Sequence, residues 1–387
     1  MSYDFDRIVD RRGTESNKWH KYPPDVLPLW VADMDFPSPE PVIRALRERV
    51  EHGVFGYGAE QPEFHQVMHE RFRKRFSWAV EPEAMVLLPG VIPGFNTACR
   101  AFGGPGDGVL MMLPVYPPIL RLPDNVGMSR DGASLVRGTD GRYTIDFEAF
   151  ERAITPRTRM FLLCNPHNPV GRVFTREELL RLAEICIRHD LIICADEVHG
   201  DIIYSGHSHV PIASLSPEIE ARTITLVAPS KTFNLAGLKC SVGIIPNRTL
   251  REKFMAARAD MVQSVNILGY TALVAAYRDG QPWLDELLRY LESNRDFLAG
   301  YVRSNFPSIE MGVPEGTYLA WLDCRRAGIP RNDPFTFFLE SGRVAFNDGM
   351  TFGRGGEGFV RLNFGCPRAL LVQGLERMGA ALSRLHS

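Results

Sequence analysis

Residues 160–196 read MFLLCNPHNPVGRVFTREELLRLAEICIRHDLIICAD, and the fold class turns on this stretch. Met160 to Cys164 and Leu191 to Ala195 are short, continuous apolar runs. A strand covered on both faces has no solvent side, so it loses the alternation of a half-exposed strand. Between the runs, Thr175-Arg176-Glu177-Glu178 matches a capping box, in which a hydroxyl and a carboxylate satisfy N–H groups at a helix start. Leu179, Leu182, Ile185 and Cys186 follow at helical spacing. The stretch predicts a strand, a helix and a second strand.

The same theme extends outward. Met85 to Leu88, Val109 to Leu113, Thr223 to Val227 and Val242 to Ile245 are further apolar runs, so a mostly parallel sheet with right-handed crossovers is expected over about residues 50–280. Upstream, Pro41 to Glu51 predicts an amphipathic helix stopped by Gly53, and the first forty residues, rich in Pro and charge, predict an extended arm. Beyond Gln281 a long helix (Trp283 to Val302) leads to Thr317 to Leu322 and Phe359 to Phe364, whose alternation suits a half-exposed antiparallel sheet. The expected fold is α/β, with an arm (1–45), a large domain (46–280) and a smaller α+β domain (281–387).

Composition narrows the function classes. The 387 residues carry 44 Lys+Arg against 46 Asp+Glu, a net charge of −2, which offers no polycationic surface for nucleic acid. Hydrophobic residues at 45% and charged residues at 23% are globular values and argue against disorder. The most hydrophobic long stretch, Val109 to Leu120, is interrupted by Pro114, Pro117 and Pro118 and falls short of the roughly 20 apolar residues of a membrane span. No membrane partner and no secretory signal are expected. Seven scattered cysteines without a CxxC pair read as reduced thiols of a cytoplasmic protein.

In an open parallel sheet, ligands bind outside the carboxyl ends of the strands, so the chemistry should follow each apolar run. After Met85 to Leu88 come Gly90, Val91 and Ile92, a turn into a helix whose N–H groups can hold a phosphate. After the next runs come Tyr116, then Asn168, then Asp196, and then Lys231. Singly, each has an ordinary explanation as a core ring, turn residue, helix cap or solvated charge. Together they offer a phosphate nest, a flat ring, an amide, a carboxylate and a lysine. Those are the groups that pyridoxal phosphate chemistry requires.

Asn165-Pro-His-Asn-Pro-Val-Gly171, Asp196-Glu-Val-His199 and Ser230-Lys-Thr-Phe-Asn-Leu-Ala-Gly-Leu-Lys239 resemble the signature segments of the fold-type I, class I/II aminotransferase superfamily. Leu29-Trp-Val-Ala-Asp-Met-Asp-Phe36, with Phe55-Gly-Tyr-Gly58 downstream, is similar to its MalY/PatB-type carbon-sulfur lyases. The resemblance spans essentially the whole chain. It implies that pyridoxal 5'-phosphate is bound covalently by Lys231, which later shuttles the substrate's Cα proton. Asp196 would pair with the pyridinium nitrogen, Asn168 would bond the 3-oxygen, and Tyr116 would stack on the ring and take part in catalysis. Gly90, Val91, Ile92 and Lys239 would hold the phosphate, and Tyr57 would reach the phosphate of a neighbouring subunit in a homodimer. Arg361 would grip the substrate carboxylate, with Ala32 bordering the substrate. His199 stands where many aminotransferases have tyrosine, and the resemblance gives it only contact with the cofactor edge.

The Arg361 assignment also has an independent physical basis. Phe359, Arg361 and Asn363 share one face of a predicted strand, and a planar guanidinium there can take a carboxylate through two parallel bonds. The alternative is a surface ion pair.

The implied activity is β-elimination from an L-cysteine S-conjugate such as cystathionine, giving a thiol, pyruvate and ammonia. An aminotransferase and a cofactor-bound regulatory protein are the alternatives. His199, Asp201, His207 and His209 lack metal-ligand spacing, so no metal is expected. Gly353-Arg-Gly355-Gly-Glu-Gly358 matches GxGxxG but precedes a predicted strand, and reads as a flexible connector instead of a dinucleotide site. Asp33 and Asp35 show no sign of carboxylates flanking a sugar.

Overall fold

A computed structural model describes residues 3–259 and 261–385. The large sheet comprises β1 (Met85–Leu88), β2 (Gly108–Leu113), β3 (Ser129–Ser134), β4 (Thr158–Cys164), β5 (Ile192–Asp196), β6 (Thr223–Val227) and β7 (Ser241–Ile244). Its seven strands run in the order β1-β7-β6-β5-β4-β2-β3. Every adjacent pair is parallel except the two that involve β7. All six apolar runs therefore lie in one sheet, and the one strand that the run pattern misses is β3.

The continuity of the runs has a direct cause. Leu110, Met112, Phe161, Leu163, Ile193 and Ala195 enter one core cluster, while Val109, Met111, Met160, Leu162 and Cys194 enter another on the opposite face. Each strand thus feeds two cores with alternate side chains. Helices close both faces. Helix α1 (Glu40–Glu51) and α2 (Pro62–Phe76) precede the sheet, and α3 (Val91–Phe102) places Phe95, Ala98 and Cys99 in one of these clusters. Helix α4 (Arg176–Arg188) supplies Leu179, Leu182 and Ile185 to the other. Its capping box is complete: Glu178 N–H donates to Thr175 Oγ1 at 3.2 Å, and Thr175 N–H donates to Glu178 Oε2 at 2.8 Å.

Helix α5 (Gln281–Asn305) leads to a four-stranded antiparallel sheet of β8 (Glu310–Met311), β9 (Leu319–Asp323), β10 (Asn347–Asp348) and β11 (Phe359–Asn363), ordered β8-β9-β11-β10. The central strands β9 and β11 are buried throughout, which corrects the expectation of a half-exposed sheet. On one face Trp321 and Phe359 stack at 5.0 Å and join the core cluster that holds α4. On the other, Ala320, Leu322, Val360 and Leu362 pack with Leu371, Leu375 and Met378 of α6 (Arg368–Leu385). The alternation of these segments reflects one apolar face and one buried face that mixes Trp321 and Phe359 with Arg361 and Asn363, not one apolar and one wet side.

The arm is not simply extended. Leu27–Pro28 pairs in parallel with Val344–Ala345, and Asn363 N–H donates to Leu29 O at 2.9 Å, so the arm is fastened beside the four-stranded sheet. Asp33 and Asp35 are occupied by ion pairs: Arg11 reaches them at 2.6 and 2.7 Å, and buried Lys18 reaches Asp35 at 2.6 Å. The Gly353–Gly358 loop is packed instead of free, because a Cβ at Gly356 would meet the Gly349 carbonyl oxygen at 1.9 Å. Among the described residues no helix is long and apolar enough to cross a membrane.

Candidate active site

The carboxyl edge of the large sheet opens into a cavity of about 400 Å³. Pro89 and Gly90 turn from β1 into α3. Gly90 has φ +155°, a conformation that side chains rarely adopt, and Gly90, Val91 and Ile92 line the cavity at the start of this twelve-residue helix. Such a helix start favours an anion. Because β7 runs opposite to its neighbours, its beginning lies at this same edge: Ser241 pairs with Leu88, and Lys239, two residues earlier, also lines the cavity.

Tyr116 follows β2 and Asn168 follows β4. Buried His167 joins the two loops through its contact of 2.8 Å to Pro114 O. Asn168 accepts from Arg361 Nη1 at 2.9 Å, while its own amide nitrogen donates to no described residue. At the end of β5, Asp196 is 4% exposed and accepts from Val198 N–H at 3.2 Å, yet no described cation pairs with it. Burial raises its carboxyl to about 6. Lys231 sits in the short helical turn Pro229–Thr232 after β6, and its Nζ donates to Ala32 O at 2.6 Å. Burial, and next the charge of Arg361, lower its ammonium to about 8, so roughly a tenth of the amine is neutral at pH 7, far more than for a free lysine.

Arg361 is 3% exposed and has no carboxylate partner among the described residues. It donates to Asn168, Trp30 O and Asn347 Oδ1, and its Nε is unpartnered. Burial lowers it to about 10. A buried guanidinium without an anion is expensive, which rules out the surface ion pair and marks a place for a negatively charged ligand. His199 lines the same cavity with Nδ1 unpartnered, its ring edge-on to Tyr318 at 5.7 Å. Burial and then the charges of Lys231 and Arg361 keep it neutral.

Ala32, Gly90, Val91, Ile92, Tyr116, Asn168, Asp196, His199, Lys231 and Lys239 therefore share one cavity, with Arg361 bonded to its Asn168 wall. Tyr57 is not among them. It is fully exposed and lines a second cavity with Arg258, Ile267 and Tyr270. His209 is buried against Glu197 at 3.1 Å, and the described residues contain no metal-holding group of three or more His, Cys, Asp or Glu. Sequence reasoning missed the roles of Asn363, Tyr318 and Asn234, which bond the backbone of the Val31–Phe36 segment. Their only signal was a polar residue two positions from Arg361 and another within the lysine motif.

This donor set fits pyridoxal 5'-phosphate. A helix start and Lys239 suit its phosphate, unpaired buried Asp196 suits a pyridinium, and Lys231 suits its aldehyde. The profile of aminotransferase class I and II matches residues 24–378. The chain belongs to the class I and II aminotransferase family. Two curated relatives place the chain in the MalY/PatB-type branch of this family. The cystathionine beta-lyase PatB of Bacillus subtilis (strain 168) is 41% identical over 98% of this chain and 100% of that one. The protein MalY of Escherichia coli (strain K12) is 34% identical over 96% and 97% of the two chains. Among solved structures, cystalysin from Treponema denticola, which contains a pyridoxal 5'-phosphate cofactor, matches with a TM-score of 0.96 at 33% identity over 100% of both chains.

Proposed function

We propose that the chain is a carbon-sulfur lyase that uses pyridoxal 5'-phosphate to eliminate the thiol from L-cysteine S-conjugates such as L-cystathionine. The observation that carries the substrate class is Arg361, a buried cation awaiting an anion beside the lysine and carboxylate pair. Elimination as the outcome is supported by full-length likeness to the cystathionine beta-lyase PatB.

The bound cofactor supplies an electron sink for the carbanion formed at Cα. Arg361 binds the substrate α-carboxylate and orients the amino acid. Lys231, whose ammonium is lowered to about 8, takes the Cα proton on Nζ. Asp196 would sit against the cofactor's ring nitrogen and favour its protonated form, and Asn168, whose amide nitrogen has no described partner, would offer its N–H to the 3-oxygen. Tyr116 and His199 would line the cofactor's ring, and Gly90, Val91, Ile92 and Lys239 would hold its phosphate. The thiolate leaves from Cβ with the electron pair of the C–S bond, and the aminoacrylate that remains takes up water. Cystathionine and water thus give homocysteine, pyruvate and ammonia.

The same reading divides the chain into an arm (1–45), a cofactor domain (46–280) and a small domain (281–387). It also makes the enzyme a homodimer with shared sites. Tyr57, Phe55 and Val54 are exposed beside a cavity of about 550 Å³, a surface suited to a second copy whose Tyr57 reaches the first copy's phosphate. Seven free, buried cysteines suit a reducing compartment such as the cytoplasm.

The test is incubation of the holoenzyme with cystathionine and no keto acid. Stoichiometric thiol, pyruvate and ammonia are expected. Turnover that begins only when a keto acid is added would make the chain an aminotransferase instead.

A further inference from the structure

We propose that the Ala32 carbonyl is the fixed acceptor that orients the Lys231 amine for proton transfer, and that Asn363 and Tyr318 are the positioning residues that set it. This rests on Lys231 acting as the base.

The Val31–Asp33 segment belongs to no strand, so its carbonyls must find partners elsewhere. Asp33 N–H closes a tight turn onto Val31 O at 3.0 Å, centred on Ala32. A single amide group then clamps both flanks: Asn363 Nδ2 donates to Val31 O at 2.6 Å and to Asp33 O at 2.8 Å. Asn363 is itself fully buried, and its Oδ1 accepts from Gly365 N–H at 2.8 Å. With both neighbours held, the Ala32 carbonyl between them is left for two donors, Lys231 Nζ at 2.6 Å and Tyr318 Oη at 2.9 Å. Asn234 fastens the next residues, accepting from Met34 N–H and donating to Met34 O and Phe36 O, all at 2.9 Å.

An amine that donates one N–H to a fixed carbonyl has its lone pair aimed by that bond, and the ammonium formed on proton transfer is stabilised by the same oxygen. Tyr318 shares the oxygen and so weakens it as an acceptor for Lys231. The two positioning residues therefore act in opposite directions. The charges facing Lys231 are Arg361 and Lys239, which disfavour its protonation, and Asp33 and Asp196, which favour it; neighbouring His199 is held neutral. Asn363 is uncharged and burial keeps the Tyr318 phenol protonated, so replacing either leaves those charges in place.

The experiment follows the rate at which pyridoxal 5'-phosphate couples to Lys231 in cofactor-free protein as a function of pH, since only the neutral amine reacts. The wild-type midpoint is expected near 8. Asn363→Ala should lower the midpoint by about half a pH unit or more, and lower kcat for elimination by about tenfold with KM little changed. Tyr318→Phe, which keeps the ring, should raise the midpoint and remains informative if Asn363→Ala does not fold. Midpoints that stay in place, or that both move the same way, overturn the proposal. A wild type that couples to the cofactor near pH 8 but eliminates nothing from cystathionine removes the lyase reading, while opposite shifts in the variants would still establish the Ala32 contact.

Discussion

Arg361 and Asp196 are buried charges of opposite sign that the described chain leaves unmatched, and each has a separate experimental signature. For Arg361, a compact ammonium cannot reproduce two parallel bonds to a carboxylate, so Arg361→Lys should lower kcat/KM for cystathionine by about 10²-fold. Steady-state kinetics across Lys, Gln and Ala at this position checks it, and an unchanged kcat/KM in the Ala variant would remove Arg361 from substrate binding. For Asp196, the carboxyl rises from 3.8 to about 6 on folding because burial disfavours its charge. A carboxylate with a raised folded pKa destabilises the fold above that pKa and not below the unfolded one. Asp196→Asn should therefore stabilise the cofactor-free protein by on the order of 2 kcal/mol above pH 6, and the gain should vanish near pH 4. Denaturant unfolding at both pH values tests the sign, and the same variant should hold the cofactor more weakly. These residues were legible in the sequence because each follows an apolar run or lies on a strand face. Asn363 and Tyr318 were not, because their bonds cross from the end of the chain to its beginning, as with the 286 positions that separate Tyr318 from Ala32.

The elements that build the phosphate end are a helix start and one reversed strand. Gly90 opens α3 in a conformation open to glycine, and β7 runs against its neighbours, which brings Lys239 to the edge that the other strands reach with their carboxyl ends. Gly90→Ala places a side chain where φ is +155°, a strain of roughly 1–3 kcal/mol that the loop can relieve only by moving away from the phosphate position. Cofactor affinity should fall at least about tenfold, read by equilibrium titration of cofactor-free protein, with the circular dichroism spectrum unchanged. Retained affinity would show that this turn does not hold the phosphate. The apolar runs announced most of this sheet because strands that feed two cores have no polar face. Strand β3 stayed hidden for the complementary reason: Ser129, Arg130 and Ser134 of this edge strand are exposed, so its sequence is polar and its pairing rests on backbone bonds to β2. The small sheet was recognised as antiparallel yet misjudged in exposure, since hydropathy does not distinguish a wet face from a polar, buried one that carries Arg361 and Asn363.

At the scale of the whole molecule, the cavity draws on the large sheet, the arm supplies Ala32, and the four-stranded sheet supplies Arg361 through Asn168. Only Tyr57 stands apart, fully exposed on the surface away from the residues it was grouped with in sequence. Its position is intelligible if two copies exchange this tyrosine, and the exchange has an arithmetic consequence. In a hybrid dimer of Lys231→Ala and Tyr57→Ala chains, one site receives both lesions and the other receives neither. Two variants that are each impaired alone should therefore regain activity when unfolded and refolded together. With equal amounts and random pairing, half of the dimers are hybrids with one intact site of two, so recovery should approach about a quarter of wild type. Recovery should disappear when the two lesions are placed in one chain and mixed with a chain that carries only Lys231→Ala, because every Lys231 is then lost. No recovery in the first mixture, from protein shown by light scattering to be dimeric, would confine Tyr57 to its own subunit and make each active site the work of a single chain.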